Sequence, residues 1–452
     1  MSTSTHIDVQ KFLDKQKLSG VQILTLVLCF FIVAVDGFDT AAIGFIAPAI
    51  RAEWGLDAVQ LAPVFGAGLF GLMAGSLIFG PLADRYGRKR LLMVSVFFFG
   101  LMTLISAWSS SVEVLVVLRF LTGLGLGGAM PNAITLSSEY APQRHRSVLV
   151  TTMFCGFTLG SAAGGIAAAH IVDSLGWHWV LIAGGVLPIA LVPVIALIQP
   201  ESPRYLALKG GHDAQVRRLM QRIAPRENLS GVTFTVSEKK LTGFPVKHLF
   251  APDLRFGTVA LWVTVFMTLL VIYLLSSWLP TVINNTGMTL KYASLVTAMF
   301  QIGGTAGAII LGRLMDRYRP QFVLGVTYLI GAAFTYLIGN HSGGTAMLVM
   351  AVFGAGFCVS GGQVGTNALA AAFYPTGSRA TGVSWSLGIG RIGSILGSLA
   401  GGWMLAFGWD ISTIFLAVSV PSLIAALCMA AMARRRRSAS YGLDPGIEAS
   451  SH

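Results

Sequence analysis

Twelve apolar runs, each about 20 residues long, limit what this chain can fold into more than any other feature. A helix rising about 1.5 Å per residue needs about that length to cross the ~30 Å hydrocarbon core of a bilayer. The runs lie at 22–47, 61–82, 91–110, 112–136, 147–170, 177–198, 258–282, 292–313, 321–339, 344–370, 379–403 and 411–433, numbered spans 1 to 12. Only 11% of the 452 residues are charged and the mean hydropathy is +0.72, whereas soluble proteins carry about 25% charged residues. Composition thus argues against a soluble protein and for an all-α membrane protein.

The distribution of Lys and Arg orients the spans. The longest gap, 199–257, divides them six and six. With both termini on one side, 27 of the 31 basic residues fall in the segments on that side. The opposite loops hold only Arg51 and Lys291, and Arg119 and Arg391 lie within spans. Basic loops stay cytoplasmic, so both termini and the central loop are expected there. The net charge of +12 then faces an anionic inner leaflet, and no nucleic-acid partner is needed. The basic run 434–437 reads as a membrane-surface anchor. The expected organisation is an N-tail at 1–21, a six-helix half at 22–198, a central loop at 199–257, a second half at 258–433 and a C-tail at 434–452. The polar N-tail carries Lys11, Lys15 and Lys17 and no cleavable signal pattern, so it is expected to be retained.

An internal repeat relates the halves. Gly80-Pro-Leu-Ala-Asp84-Arg85-Tyr-Gly87-Arg88 follows span 2, and Gly312-Arg-Leu-Met-Asp316-Arg317-Tyr318-Arg319 follows span 8, at an offset of 232 residues. Pro142 with Arg146, and Pro375 with Arg379, repeat a four-residue spacing at an offset of 233. Two such matches at offsets one residue apart imply twelve transmembrane helices in two pseudo-symmetric halves of the same orientation.

The loop GPLADRYGRKR resembles the signature of the major facilitator superfamily, and Arg119-Phe-Leu-Thr-Gly-Leu-Gly-Leu-Gly-Gly resembles its span 4 motif. Pro200-Glu-Ser-Pro-Arg-Tyr-Leu is shared with several of its families. DGFDTAAIGFIAPA in span 1, together with FYPTGSRATGVSWSLGIGRIG in span 11, looks like the aromatic acid/proton symporter family. The resemblance runs from about residue 22 to 433. It implies import of compounds such as 4-hydroxybenzoate, protocatechuate or benzoate with protons, across a bacterial inner membrane, for aromatic catabolism. The expected partners are therefore a small aromatic carboxylate, protons and membrane lipid. A monomer without cofactor or metal is expected.

Asp36 and Asp39 stand three residues apart in span 1, so they share one helical face. Each ionised Asp at the centre of a span costs about 2.5–3.5 kcal/mol on insertion scales. Two carboxylates this close cannot both ionise cheaply, so at least one is expected to titrate near neutral pH, as proton coupling requires. The repeat places Thr268 and Val271 at the matching positions, so the acid pair belongs to one half only. Arg119, early in span 4, comes to the depth of Asp39 and is the expected partner. A permanent structural salt bridge is the alternative.

Arg391 lies near mid-membrane in span 11 among Gly388, Gly390 and Gly393. If the imported acids are anions, its guanidinium is the first choice to hold the carboxylate in bidentate fashion; bonding to backbone carbonyls is the alternative. Tyr273, Trp278, Phe300, Phe357 and Trp385 are candidates to sandwich an aromatic ring, or else packing residues. Gln363 and Asn367 can bond a ring hydroxyl, or equally fasten two helices.

The basic loops suggest an inner gate. Asp84 can face the N-terminus of span 11 near Arg379, where the helix dipole favours an anion, and Asp316 can face span 5 near Arg146. Arg85, Arg88, Glu139, Glu201 and Arg317 extend the network, Gly80 belongs to the loop motif, and Gly87 supplies the tight turn. Gly123 and Gly127 mimic a phosphate loop but lie within a span, so they read as helix-packing residues. Cys29, Cys155, Cys358 and Cys428 form no Cys-x-x-Cys pair and read as buried hydrophobes. A sugar or non-aromatic acid symporter, and a membrane receptor for aromatic acids, are the competing readings. An uncharged sugar leaves Arg391 harder to justify, and a receptor predicts a longer cytoplasmic domain.

Overall fold

A computed structural model of the chain describes residues 5–229, 231–236, 249–252, 254–340, 344–374 and 379–441, with the backbone alone at 5, 80, 81, 84, 147, 379–381 and 436–441. Every expected span is helical. Spans 1 to 6 are Gly20–Trp54, Ala58–Tyr86, Arg88–Ser106, Val112–Tyr140, Arg146–Leu175 and His178–Ile198. Spans 7 to 9 are Arg255–Asn284, Leu290–Arg317 and Pro320–Gly339. Span 10 runs from Gly344–Ala355 through a π turn at Gly356–Ser360 into Gly361–Phe373. Spans 11 and 12 are Arg379–Ala406 and Ile411–Tyr441.

Several helices outrun their apolar stretches because polar residues satisfy the ends. Ser19 and Gln22 form a reciprocal capping box at the start of span 1, and Asp57 and Gln60 do so for span 2. Span 1 closes on Gly55, which takes the left-handed conformation with φ 64°. Eleven of these helices are long and apolar enough to cross a bilayer. Span 11 has the length, but Arg391 and its interspersed Gly and Ser residues dilute its hydropathy.

The chain forms two compact units. The first comprises Met1–Lys240, Ser276–Gln301 and Ser398–Phe407; the second comprises Leu241–Leu275, Ile302–Gly397 and Gly408–His452. Within the first, span 1 meets span 5 at Gly37 and Gly160, and span 4 meets span 2 at Gly123 and Gly127. Any Cβ at these four positions would collide with the facing backbone. The second unit repeats the device: Gly393 and Gly397 press span 11 onto span 7, and Gly303 and Gly307 press span 8 onto span 10. The pairings 1/5 and 2/4 thus recur as 7/11 and 8/10, the repeat read from sequence. Gly123 and Gly127 are packing residues, as expected.

The first unit also takes in the end of span 7, the start of span 8 and the end of span 11. The Trp278 indole donates to Ser398 O at 2.7 Å and meets Phe65 edge-on, with ring centroids 5.1 Å apart.

Outside the spans the first unit carries α1 (Val9–Lys15), α2 (Pro203–Lys209) and α3 (Asp213–Ile223). Strand β1 (Thr5–Asp8) pairs in parallel with β2 (Val232–Thr235), Thr5 opposite Val232 and Asp8 opposite Thr235. The polar N-tail is therefore folded. Phe12 and Leu13 join a core with Leu219, Met220 and Phe234. All four cysteines are free.

Candidate functional site

The acid pair is split by its partners. Asp39, 1% exposed, receives a hydrogen bond from Thr103 Oγ1 of span 3 at 2.6 Å. Arg119 Nη1 stands 3.3 Å from its other oxygen. Arg119 Nη2 donates to Thr103 Oγ1 and to Thr122 Oγ1, each at 3.3 Å. The cluster is thus a carboxylate, a guanidinium and two hydroxyls on spans 1, 3 and 4, closed from water. Arg119 Nε has no hydrogen-bond partner, so the guanidinium retains unused donor capacity. Asp36 is also fully buried, but it accepts from its own helix, from Thr40 Oγ1 at 3.2 Å. Gly37 brings the backbone of span 5 against span 1 between the two acids, and Ser161 Oγ donates to Gly37 O at 2.8 Å.

A buried ion pair of this kind is finely balanced. Desolvating two charges costs several kcal/mol each, and mutual attraction offsets that only while both are charged. Protonating Asp39 removes the counter-charge and frees the guanidinium for another anion. Thr103 and Thr122 were not legible as partners. Thr122 follows Arg119 by three residues, a spacing that puts side chains together on a helix. Thr103 lies 64 residues from Asp39, and one Thr in an apolar run carries no signal.

In the second unit no carboxylate meets the half-buried Arg391 among the described residues: its Nη1 donates to Tyr273 OH at 3.4 Å. Thr268, the repeat counterpart of Asp36, bonds the Gln363 side chain, and Gln363 Nε2 donates to Asn367 Oδ1 at 3.0 Å. Gln363 therefore ties span 10 to span 7, while Asn367 is bonded to it within span 10 and stays partly open. Beside them Tyr328 OH and Thr366 Oγ1 are 2.6 Å apart. Phe357 sits in the π turn of span 10, partly buried. Trp385 is 45% exposed and stacks on Trp262 at 5.8 Å. Trp278 and Phe300 belong to the first unit, fully buried, where the Trp278 nitrogen is already used.

At the loop-side ends of spans 2, 3 and 4, Arg88 Nε lies 3.6 Å from Glu139 Oε1, and Ser202 Oγ donates to the other oxygen of Glu139. Glu201 Oε1 accepts from the backbone of Lys89 at 3.1 Å and of Ser202 at 2.9 Å. Gly87 makes the turn there at φ 106°. Arg85 lies over the Tyr86 ring. Arg146 Nη2 donates to Gln10 Oε1 of α1 at 2.6 Å. Asp316 and Arg317 are exposed, and the guanidinium of Arg317 covers the Tyr318 ring. The side chains of Gly80's neighbour Asp84 and of Arg379 lie outside the described residues, as does Gly80 beyond its backbone.

The profile of the Major Facilitator Superfamily matches residues 29–290 and 261–451. The chain belongs to the major facilitator superfamily. It is 47% identical to the 4-hydroxybenzoate transporter PcaK of Pseudomonas aeruginosa, over 93% of this chain and 94% of that one. It is 45% identical to the gallate transporter of Pseudomonas putida, over 96% and 97%. The inward-open xylose transporter XylE of E. coli shares the fold, with a TM-score of 0.72 at 17% identity, over 90% of this chain and 95% of that one. This major facilitator chain is thus a multi-pass membrane transporter and not an enzyme.

Proposed function

We propose that this transporter imports a hydroxylated aromatic carboxylate together with protons, by alternating access, across a bacterial inner membrane with both termini in the cytoplasm. The observation that carries the proposal is the Asp39–Arg119 pair, buried among spans 1, 3 and 4 and closed by Thr103. Its carboxylate binds a proton at the expense of an ion pair, which links protonation to a change in packing. The names of the relatives, transporters of 4-hydroxybenzoate and of gallate, supply the substrate class.

In this reading Arg391 receives the substrate carboxylate in place of Tyr273, and Asn367 with Gln363 meets the ring hydroxyls. Phe357 and Tyr273 offer ring contacts. Arg88, Glu139 and Glu201 hold the inner end of the first half, and Arg146 exchanges Gln10 for an acidic partner as the gate closes. A monoanion carried with one proton moves no net charge. A second proton, taken by Asp36, would add about 2.3 kcal/mol per 100 mV of membrane potential. The likeness to a xylose transporter is one of fold, and a neutral sugar gives Arg391 no counter-charge.

The test is uptake into proteoliposomes of a panel of labelled acids: 4-hydroxybenzoate, protocatechuate, gallate, benzoate and an aliphatic monocarboxylate. An imposed pH gradient, acid outside, should drive accumulation of hydroxylated aromatics. Asp39→Asn should abolish accumulation. Normal accumulation by that variant, or equal uptake of the aliphatic acid, would overturn the proposal.

A further inference from the structure

Spans 9 and 12 of the second unit leave an apolar groove of about 790 Å³ between them. Its walls include Phe322 and Leu427, 63% and 69% exposed. Both are large apolar side chains on a helix pair that crosses a bilayer, so the groove opens to lipid. From Arg319 to Leu329 it runs ten residues, about 15 Å along the helix. That is half the ~30 Å hydrocarbon core, the depth of one leaflet.

One end of the groove is chemically different. Arg319 and Arg434 line it, both exposed, and no carboxylate does. Span 9 begins there with Pro320, and no side chain caps its N-terminus. The amides of Phe322 and Val323 are taken by Arg319 O, but the helix dipole still presents partial positive charge at this end. Gln321 lies in the same wall. It is 3% exposed, and its Nε2 has no hydrogen-bond partner. A buried amide donor without an acceptor is costly, and an acceptor from a ligand would relieve that cost.

We propose that the groove between spans 9 and 12 binds an anionic glycerophospholipid. Its phosphate lies between Arg319, Arg434 and the start of span 9, one head-group oxygen accepts from Gln321 Nε2, and one acyl chain fills the apolar length. The two arginines meet the negative charge, and the groove's reach matches one chain in one leaflet. The end bearing the arginines is the one that the Lys and Arg distribution assigns to the inner leaflet. A soluble phosphate would use only the polar end, and a zwitterionic lipid would leave the two cations half-compensated.

The test uses the full-length protein, purified in neutral detergent and stripped of lipid. Dioleoylphosphatidylglycerol, dioleoylphosphatidylcholine and glycerol 3-phosphate are titrated separately, with retained adducts read by native mass spectrometry and Tm read in parallel. The anionic lipid should bind at least tenfold more tightly than the zwitterionic one and raise Tm, and glycerol 3-phosphate should do neither. Arg319→Gln with Arg434→Gln, both at exposed positions, should abolish the preference. Gln321→Leu should weaken the anionic lipid. Ala430→Phe, an exposed groove-wall position, should exclude both lipids. A diazirine-bearing phosphatidylglycerol should label peptides within 318–329 and 423–434; this readout does not depend on any variant folding. Equal affinity for the two lipids, an undiminished preference in the double variant, stabilisation by glycerol 3-phosphate alone, or labelling confined to other peptides would each overturn the proposal.

Discussion

Thr103 Oγ1 lies 2.6 Å from Oδ1 of Asp39, closer than Arg119 comes to the same carboxylate at 3.3 Å. The hydroxyl, not the guanidinium, makes the tighter contact. A hydrogen bond to a charged acceptor is worth about 1.5–3 kcal/mol. Removing it takes one partner from a buried carboxylate. Thr103→Val should therefore destabilise the protein by about 1.5–3 kcal/mol and slow proton-driven uptake, whereas Thr103→Ser should keep both near wild type. Thermal melts and initial uptake rates decide it, and unchanged values in the Val variant would show that Thr103 does not serve the site.

The ion pair itself predicts strong non-additivity. Removing one partner of a buried pair leaves an uncompensated charge and costs about 3–5 kcal/mol. Arg119→Gln alone should thus lower Tm sharply. Asp39→Asn combined with Arg119→Gln leaves no charge and should recover much of that loss. Thermal melts of both single variants and the double one close the cycle. A double variant as unstable as the sum of the singles would mean the two groups are not coupled.

The helices, the repeat and the Asp39–Arg119 pairing were legible because each rests on periodicity or depth along a helix. Twelve runs of the right length fix twelve helices. A rise of about 1.5 Å per residue fixes which charged groups meet across antiparallel spans. What was hidden is lateral. Whether Trp278 faces a ligand or packs on Phe65 depends on which helices are neighbours, and Thr268 meets Gln363 only because span 7 crosses span 10. The N-tail was hidden for a different reason. Phe12 and Leu13 form too short a pattern to announce a core, and their partners in β2 and α3 lie some 200 residues away in sequence.

Arg391 makes one long hydrogen bond, 3.4 Å to Tyr273 OH, and is free to exchange it for a stronger acceptor. A bidentate carboxylate would be worth a few kcal/mol. Arg391→Ala should weaken substrate binding on the order of 10²-fold. Arg391→Lys, which keeps the charge but not the fork, should fall between. Tyr273→Phe should change affinity by less than tenfold. Equilibrium binding to the purified variants reads all three, and unchanged affinity in Arg391→Ala would remove it from the substrate site.

Two glycines differ in the room around them. A methyl at Gly160 would collide with the backbone oxygen of Ala34, whereas nothing lies within 4 Å of one at Gly388. Gly160→Ala must pry span 5 from span 1, and overpacking of this kind costs about 1–3 kcal/mol. Gly388→Ala should leave Tm unchanged, or raise it slightly through a better helix propensity. Equal losses of Tm in both variants would contradict the distinction.

The folded N-tail makes a prediction about local stability. Phe12 is 6% exposed and meets Phe234 edge-on at 5.3 Å, joining α1 to β2. On its polar side α1 holds the turn after span 4: Asp14 Oδ1 accepts from Gln143 N at 2.6 Å, and Gln10 bonds Arg146. Truncating a buried Phe costs about 3–5 kcal/mol. Here the loss should open the tail rather than the whole molecule, since few spans touch it. Phe12→Ala should therefore speed tryptic cleavage at Lys11, Lys15 and Lys17 on the order of 10²-fold while the main melting transition hardly moves. Cleavage at the wild-type rate would mean that the strand pairing and the polar bonds hold the tail without the aromatic anchor.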